Sequence, residues 1–174
     1  MANYVYIGTS LDGYIASKDG SLDWLMEFPN PDGSDFGFSA FMDRIDALVM
    51  GKNTFEKVLT FGEWPYNKKV FVLSNTLKDI PTEMSDKAEI IQGELQEVVE
   101  KLAIRGFKDL YIDGGKVIQS FLRQDLIDEM IITRVPIVLG SGIPLFGELN
   151  NPVRFSKVKT ETLTDQMVKN YYYK

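Results

Sequence analysis

The chain has 174 residues, a net charge of −6 and a pI near 4.8, with 44% hydrophobic and 25% charged residues. We expect residues 1–174 to form one globular domain, and an acidic chain without a basic segment is a poor binder of nucleic acid. It contains no cysteine and no histidine, which excludes disulfides, thiolate metal sites and serine–histidine triads, so no metal site is predicted. The amino terminus lacks the pattern of a signal peptide, and no apolar run is long enough to span a membrane. These features predict a cytoplasmic protein.

Strand and helix patterns alternate along the first 125 residues or so. Strands are predicted in YVYIGTS, DALVM, VFVLS, AEIIQ and LYI, and helices at 38–45, 53–59, 95–103 and 117–122. The region from Asp19 to Asp35 is rich in Gly, Pro, Asn and Asp, which predicts a loop with at most one short helix. Gly106 is expected to end the third of these helices.

Strand patterns dominate the remainder of the chain. MIITRVPIVL is an extended run broken by Pro136, and residues 155–173 predict an antiparallel hairpin that turns near Thr164 and Asp165. Between them, LGSGIPLF looks like a turn that finishes the sheet. The whole pattern predicts a three-layer α/β/α sandwich, with a mostly parallel central sheet and an antiparallel carboxyl-terminal hairpin.

The segment IDGGKVIQSFL places Gly114 and Gly115 where a strand ends and a helix begins. Each glycine weakens a helix by roughly 1 kcal/mol relative to alanine, so some other role must offset that cost. Side chains at these positions would block an anion from the exposed N–H groups at the helix start, and a β-branched residue at 115 would also resist positive φ. The alternative is a tight strand-to-helix turn without a ligand.

Two further strand ends carry similar chemistry. MGKNTFE also runs from strand through Gly51 into a helix, where Lys52 supplies positive charge, and Asn53 or Thr54 can cap the helix. Another strand ends in the small polar residues LSNT, at 73–76. Three such ends fit one long ligand lying across the carboxyl edge of a sheet, and a dinucleotide has the right size. None of them is the G-x-G-x-x-G fingerprint, so a standard Rossmann domain is not predicted.

Taken together, these segments resemble the dihydrofolate reductase superfamily, and most closely its bacterial branch shared with the reductase domain of the bifunctional riboflavin biosynthesis protein. The matching stretches are SLDGYIA (10–16), VMGKNTFE (49–56), VLSNT (72–76), IDGGKVIQSFL (112–122) and DEMIITRVPIVLGSGIPLF (128–146). They occur in the family order and cover nearly the whole chain. The resemblance implies the sandwich fold, NADPH as the cofactor, and a pterin- or pyrimidine-type substrate.

The resemblance also implies which residues contact the cofactor. The turn at the adenosine side and pyrophosphate corresponds to Gly51, Lys52, Asn53 and Thr54, and the neighbourhood of the adenosine 2′-phosphate corresponds to Ser74, Asn75 and Thr76. The glycine turn at the pyrophosphate and nicotinamide ribose corresponds to Gly114, Gly115, Lys116, Val117 and Ile118. The strip that lines the nicotinamide corresponds to Ile15 and Ala16.

The family's catalytic carboxylate corresponds by spacing to Asp35, and its threonine partner to Thr133. Partial burial is expected to raise the pKa of Asp35 so that it can deliver a proton. The alternative is that Asp35 only caps the helix that follows it. Both roles remain open from the sequence.

The substrate side departs from the folate enzymes. Lys68 stands where their substrate-binding arginine falls, and a lysine lacks the planar two-pronged donor, so poor activity on dihydrofolate is expected. Trp24 lies in a longer loop, where it either shields the substrate or is simply buried. We therefore predict an NADPH-dependent reductase of a C=N or C=O group, with an NADP(H)-binding protein without turnover as the alternative. The apolar run MIITRVPIVL and the riboflavin-type relatives suggest a homodimer.

Overall fold

The computed structural model describes residues 1–174. Its ten strands are β1 (Ala2–Thr9), β2 (Tyr14–Ala16), β3 (Ala47–Gly51), β4 (Lys69–Leu73), β5 (Ala88–Ile91), β6 (Asp109–Asp113), β7 (Glu129–Arg134), β8 (Ile143–Pro144), β9 (Lys157–Thr164) and β10 (Met167–Tyr173). Its helices are α1 (Asp23–Met26), α2 (Phe38–Asp43), α3 (Lys52–Leu59), α4 (Leu95–Ile104) and α5 (Gly115–Arg123), with a short 3₁₀ turn at Thr82–Met84. The elements predicted from periodicity are all present, with boundaries shifted by a few residues.

Eight strands form one central sheet in the order β5-β4-β3-β6-β1-β7-β10-β9. The first six in this order are parallel to one another, while β10 runs antiparallel to β7 and β9 antiparallel to β10. Parallel strands need helical crossovers, which cover both faces of the sheet and explain the continuous apolar runs in β3 and β4. The predicted sheet, including its antiparallel carboxyl-terminal hairpin, is confirmed.

The two sides of the sheet hold separate cores, because side chains alternate along each strand. Ala47 and Val49 face a cluster of 19 buried residues beneath α4 and α5. Leu48 and Met50 face a cluster of 11 buried residues beneath α2 and α3. The protein is therefore the predicted three-layer sandwich.

The prediction for LGSGIPLF was wrong in one respect. This segment does not finish the central sheet, because β8 pairs antiparallel with β2 in a separate two-stranded sheet. Two such short strands carry too little periodicity to be recognised, and their partners lie far apart in sequence. This small sheet lies against the start of α5, where Ile15 and Ile143 approach Gly115.

The apolar run at 130–139 is mostly internal. Residues Met130 to Ile132 and Val135 are buried within the subunit, so the run offers little surface to a second copy. The homodimer prediction then depends on the resemblance alone. No helix of the protein combines the length and the apolar character needed to cross a membrane.

Candidate active site

The carboxyl ends of the parallel strands meet along one edge of the sheet. Gly51 at the end of β3 lies beside Leu73 at the end of β4, and its neighbour Met50 lies beside Asp113 at the end of β6. β1 follows β6 in the sheet and ends at Thr9 on the same edge. The fold thus brings together the three strand ends that the sequence singled out.

The two glycines at the start of α5 allow close packing. Gly114 has φ +88°, and a Cβ atom there would overlap the hydroxyl oxygen of Thr54 in α3. A Cβ atom on Gly115 would lie 3.0 Å from Cδ1 of Ile15 and 3.3 Å from Cγ2 of Ile143. Gly115 does not have positive φ, so that part of the prediction was wrong. The two glycines therefore allow the start of α5 to pack closely against α3 and the β2–β8 sheet. A ligand could reach the start of α5 only from beside these contacts.

A cavity of about 530 Å³ adjoins this edge, between the end of β4, the start of α4 and the outer face of α5. Leu73, Leu95 and Val117 form its apolar part. Two cationic residues, Lys116 and Arg123, also line it, and neither makes an ion pair within the protein. An apolar surface beside two free cations is suited to a flat ring that carries phosphate groups.

The remaining lining residues of this cavity are polar: Ser120, Gln124 and Asn150. Arg123 was not predicted, although Lys116, Ser120 and Arg123 fall at i, i+4 and i+7, which places them on one face of a helix. That spacing was visible in the sequence. Nothing in the sequence indicated that Asn150 would approach α5.

Several predicted cofactor residues make internal contacts. Lys52 forms an i,i+4 ion pair with Glu56 at 3.6 Å. The Ser74 hydroxyl accepts the backbone N–H groups of Thr76 and Leu77 at 3.2 and 3.0 Å, which holds the turn after β4 in place. Asn75 and Thr76 are exposed beside it, whereas Asn53 and Thr54 lie in the first turn of α3.

Ile118 does not reach the surface of the site. Its side chain is fully buried in the core beneath α4 and α5, so the structure does not support its predicted contact with the cofactor. Ile118 instead supports the glycine turn from below. The preceding residue, Val117, is the apolar residue of α5 that borders the cavity.

Asp35 is exposed, and the expectation of a raised pKa was wrong. Its carboxylate accepts the backbone N–H groups of Gly37 and Ser39 at 2.8 and 2.9 Å. Hydrogen bonds from Ser39 and Gly37 lower the pKa of Asp35 to about 2, with the Ser39 side chain as the largest cause. These contacts favour the capping role, because Asp35 holds first-turn N–H groups of α2. Thr133 is half-buried and pairs with Gly8 and Lys169 in the sheet; no hydrogen bond joins it to Asp35.

Asp113 is the titratable group that the sequence analysis missed. Burial raises the pKa of Asp113 to about 6, while hydrogen bonds from the Gly114 N–H and the Tyr66 side chain act in the opposite direction. Burial also raises the pKa of Tyr66, and the nearby Asp113 adds to this effect. A carboxyl that is half-buried at a strand end, beside the glycine turn, has the character of a catalytic acid. The signal was present as the Asp of IDGG, but its raised pKa depends on burial, which the sequence does not show.

Aromatic side chains form a cluster that includes Tyr66, on the side of α3. The ring of Trp64 contacts Tyr66 and Phe55 edge-on, with centroid separations of 5.4 and 6.0 Å. The indole N–H of Trp64 is buried and has no hydrogen-bond acceptor in the protein. Since a buried donor without a partner is unfavourable, an acceptor on a ligand would stabilise this region.

The two residues predicted on the substrate side lie elsewhere. Trp24 is buried in a small cluster with Val135 and Met167, which supports simple burial over shielding of a substrate. Lys68 precedes β4, at the amino edge of the sheet and near Asp46. A compact ring held near Asp113 would not reach Lys68, because the length of β4 separates the two edges.

A second cavity, of about 450 Å³, lies between α2 and the β9–β10 hairpin. Three of its charged residues are paired, Lys169 with Glu161 at 3.4 Å and Arg44 with Glu129 at 2.6 Å, whereas Asp32 makes no ion pair. None of the glycine-turn residues borders it. We therefore place the candidate active site at the strand ends.

Comparison with known proteins identifies the family. The family model of the RibD C-terminal domain matches residues 4–169. The chain belongs to the RibD C-terminal domain family. It is 36% identical over 171 residues to the uncharacterized protein YwjB of Bacillus subtilis (strain 168), covering 97% of this chain and 95% of that protein. The predicted resemblance to the riboflavin-type branch is confirmed.

Solved structures agree with this assignment. A candidate riboflavin biosynthesis protein from Shewanella sp. PV-4 has 53% identity and a TM-score of 0.96, with 99% of this chain and 98% of that chain covered. The Thermotoga maritima diaminohydroxyphosphoribosylaminopyrimidine deaminase/5-amino-6-(5-phosphoribosylamino)uracil reductase has 17% identity and a TM-score of 0.74, over 99% and 56% of the chains. Dihydrofolate reductase from Enterococcus faecalis, complexed with NADP(H), has 15% identity and a TM-score of 0.63, over 99% and 95%. The latter two likenesses show the shared fold.

Proposed function

We propose that this protein is an NADPH-dependent reductase that acts on a C=N or C=O group of a pterin- or pyrimidine-type substrate. The observation that carries the proposal is the 530 Å³ cavity at the strand ends, where Lys116 and Arg123 lie unpaired beside an apolar surface. The family membership supports a reductase, as do the reductase named in the Thermotoga structure and the NADP(H) complex of the Enterococcus enzyme. The cofactor would supply the hydride.

The chain offers a separate group for each part of such a cofactor. Leu73 and Val117 would pack against the adenine, and Lys116 with Arg123 would hold the phosphate on the adenosine ribose. The starts of α3 and α5 meet where Thr54 contacts Gly114, and both helices present free N–H groups to the pyrophosphate there. Ile15 in β2 would border the nicotinamide.

Asp113 replaces Asp35 as the proposed proton donor. A carboxyl with a pKa of about 6 retains a protonated fraction near neutral pH, whereas one with a pKa of about 2 does not. The backbone N–H of Gly114 donates to Oδ1 of Asp113 at 2.8 Å, which orients the carboxyl group at the glycine turn. Aromatic rings on the side of α3 limit the access of water and favour a flat substrate.

The test is NADPH oxidation with a panel of pterins and pyrimidines, in the wild-type protein and in two matched variants. We expect Asp113→Asn to lower the hydride-transfer rate constant by about 10²-fold or more, with little change in NADPH affinity. Asp35→Asn removes an exposed carboxylate that caps α2, and it should retain most of the activity. The wild-type rate constant should fall as the pH rises through about 6, because the acid form of Asp113 is lost. Full activity in Asp113→Asn would exclude this role.

The alternative is an NADP(H)-binding protein without turnover. It would bind NADPH with the same groups at α3 and α5, yet oxidise none with any member of the panel. NADPH binding measured by titration, combined with the absence of oxidation, would favour this alternative. Failure to bind NADPH at millimolar concentration would contradict both functions.

A further inference from the structure

The side chain of Asp12 contacts both of the loops that cover the start of α5. We call residues 10–16 and 136–146 the flap, because they carry β2 and β8 and lie over the glycine turn. The Asp12 carboxylate accepts the Ser10 hydroxyl at 2.7 Å and the backbone N–H of Leu139 at 3.1 Å through Oδ1. Its Oδ2 accepts the backbone N–H of Gly140 at 2.8 Å. Both oxygens are therefore used, and they connect the first loop to the second.

Other contacts join the two loops and fix the flap to the helix below it. The backbone N–H of Leu145 donates to the carbonyl of Gly13 at 2.9 Å and that of Leu11 to the carbonyl of Ile137 at 2.7 Å, which links the loops. The Gln119 side chain of α5 donates to the carbonyl of Pro144 at 2.9 Å, which links the flap to the helix. The side chains of Ile15 and Ile143 lie directly over Gly115. The position of the flap thus determines how much space remains above the glycine turn.

We infer that Asp12 is a positioning residue, which holds the two loops of the flap as one unit over the nicotinamide end of the cofactor site. This inference depends on the proposed function for the identity of the ligand. The hydrogen-bond count explains why a carboxylate is needed. The two carboxylate oxygens of Asp12 accept three hydrogen bonds, from two backbone N–H groups and one hydroxyl. Asparagine would place an NH₂ group opposite at least one of these donors, and that hydrogen bond would be lost.

The first experiment compares Asp12→Asn with Asp19→Asn in the full-length protein. Asp19 accepts only the N–H of Ser21 in the neighbouring loop and does not join the flap, so it is a matched control. Binding is measured for NADPH and for adenosine 2′,5′-bisphosphate, a fragment that lacks the nicotinamide. We expect Asp12→Asn to bind NADPH about three- to tenfold more weakly, as expected for the loss of about one hydrogen bond, and to bind the fragment as the wild type does.

Equal weakening of both ligands, or no weakening of NADPH, would overturn the role of Asp12. Failure of the wild type to bind either ligand would instead overturn the proposed function. A second measurement is independent of any ligand. Amide hydrogen exchange in the free protein should become faster in residues 10–16 and in residues 136–146 together when Asp12 is replaced by asparagine. Faster exchange in only one of the two loops would show that Asp12 does not join them.

Discussion

Replacement of Asp113 by asparagine should stabilise the protein at alkaline pH while it removes activity. The carboxyl group has a pKa of about 6 in the folded protein, against an ordinary value of 3.8. Between these two values the folded state binds more protons than the unfolded state, so stability falls as the pH rises through this range. Each pKa unit is worth about 1.4 kcal/mol, which gives an upper bound of about 3 kcal/mol for the cost of the ionised form.

Because Asp113 is only half-buried, water screens part of this cost, and we expect a gain of about 1–2 kcal/mol for Asp113→Asn at pH 8. At pH 4 the folded wild type is protonated, and the two proteins should differ much less. The assay is urea denaturation at both pH values, with the free energy of unfolding extrapolated to water. Asp165→Asn, in an exposed turn, is the control. Equal effects of Asp113→Asn at pH 4 and pH 8 would refute a raised pKa.

Further predictions concern the turn, the cofactor and the helix cap. Gly114→Ala should lower the free energy of unfolding by about 2–5 kcal/mol, because alanine resists positive φ and its Cβ atom would overlap Thr54. In a double-mutant cycle, Thr54→Ala should recover only the part of this loss that is due to the overlap. If the two substitutions have additive effects on the free energy of unfolding, position 114 does not contact Thr54. Lys116→Glu should weaken the binding of NADPH by about 1–3 kcal/mol and the binding of NADH much less, and titration with each cofactor measures the difference. Lys52→Glu, at the start of α3, should likewise weaken the binding of NADPH more than that of NADH. Equal losses of affinity for the two cofactors would exclude a role of Lys52 in the preference for NADPH. Asp35→Ala should destabilise the protein by about 0.5–2 kcal/mol in urea denaturation, and an unchanged midpoint would contradict the capping role.

The sequence predicted the sheet and the edge where the candidate site lies, because both depend on local signals. Apolar runs marked β3, β4 and β6, and parallel strands must place their carboxyl ends on one edge. Gly51 and Gly114 marked the turns into the helices. These signals do not depend on residues far away in the chain, so they could be interpreted without coordinates.

The chemistry within the site was less predictable, because it depends on contacts between distant segments. The pKa of Asp113 is raised by burial in the folded protein, and only the folded chain brings Tyr66, which acts in the opposite direction, close to this carboxyl group. Asp35 was assigned by spacing, and spacing does not reveal that Asp35 is exposed and bound to N–H groups. The pairing of β2 with β8 joins segments about 127 residues apart by only a few hydrogen bonds. A resemblance transfers positions along the chain, but it does not transfer their environments.

The position of β1 has a consequence for the synthesis of the protein. β1 is made first, yet it lies between β6 and β7, so its partners begin at Asp109 and extend to Arg134. At about 5–20 residues per second, an emerging chain would carry this apolar strand unpaired for roughly 5–25 s. During that time both edges of YVYIGT are open to other chains, which is a hazard for aggregation. Shortened chains that end before β7 should therefore depend on chaperones to remain in solution, although they already contain most of the residues of the candidate active site.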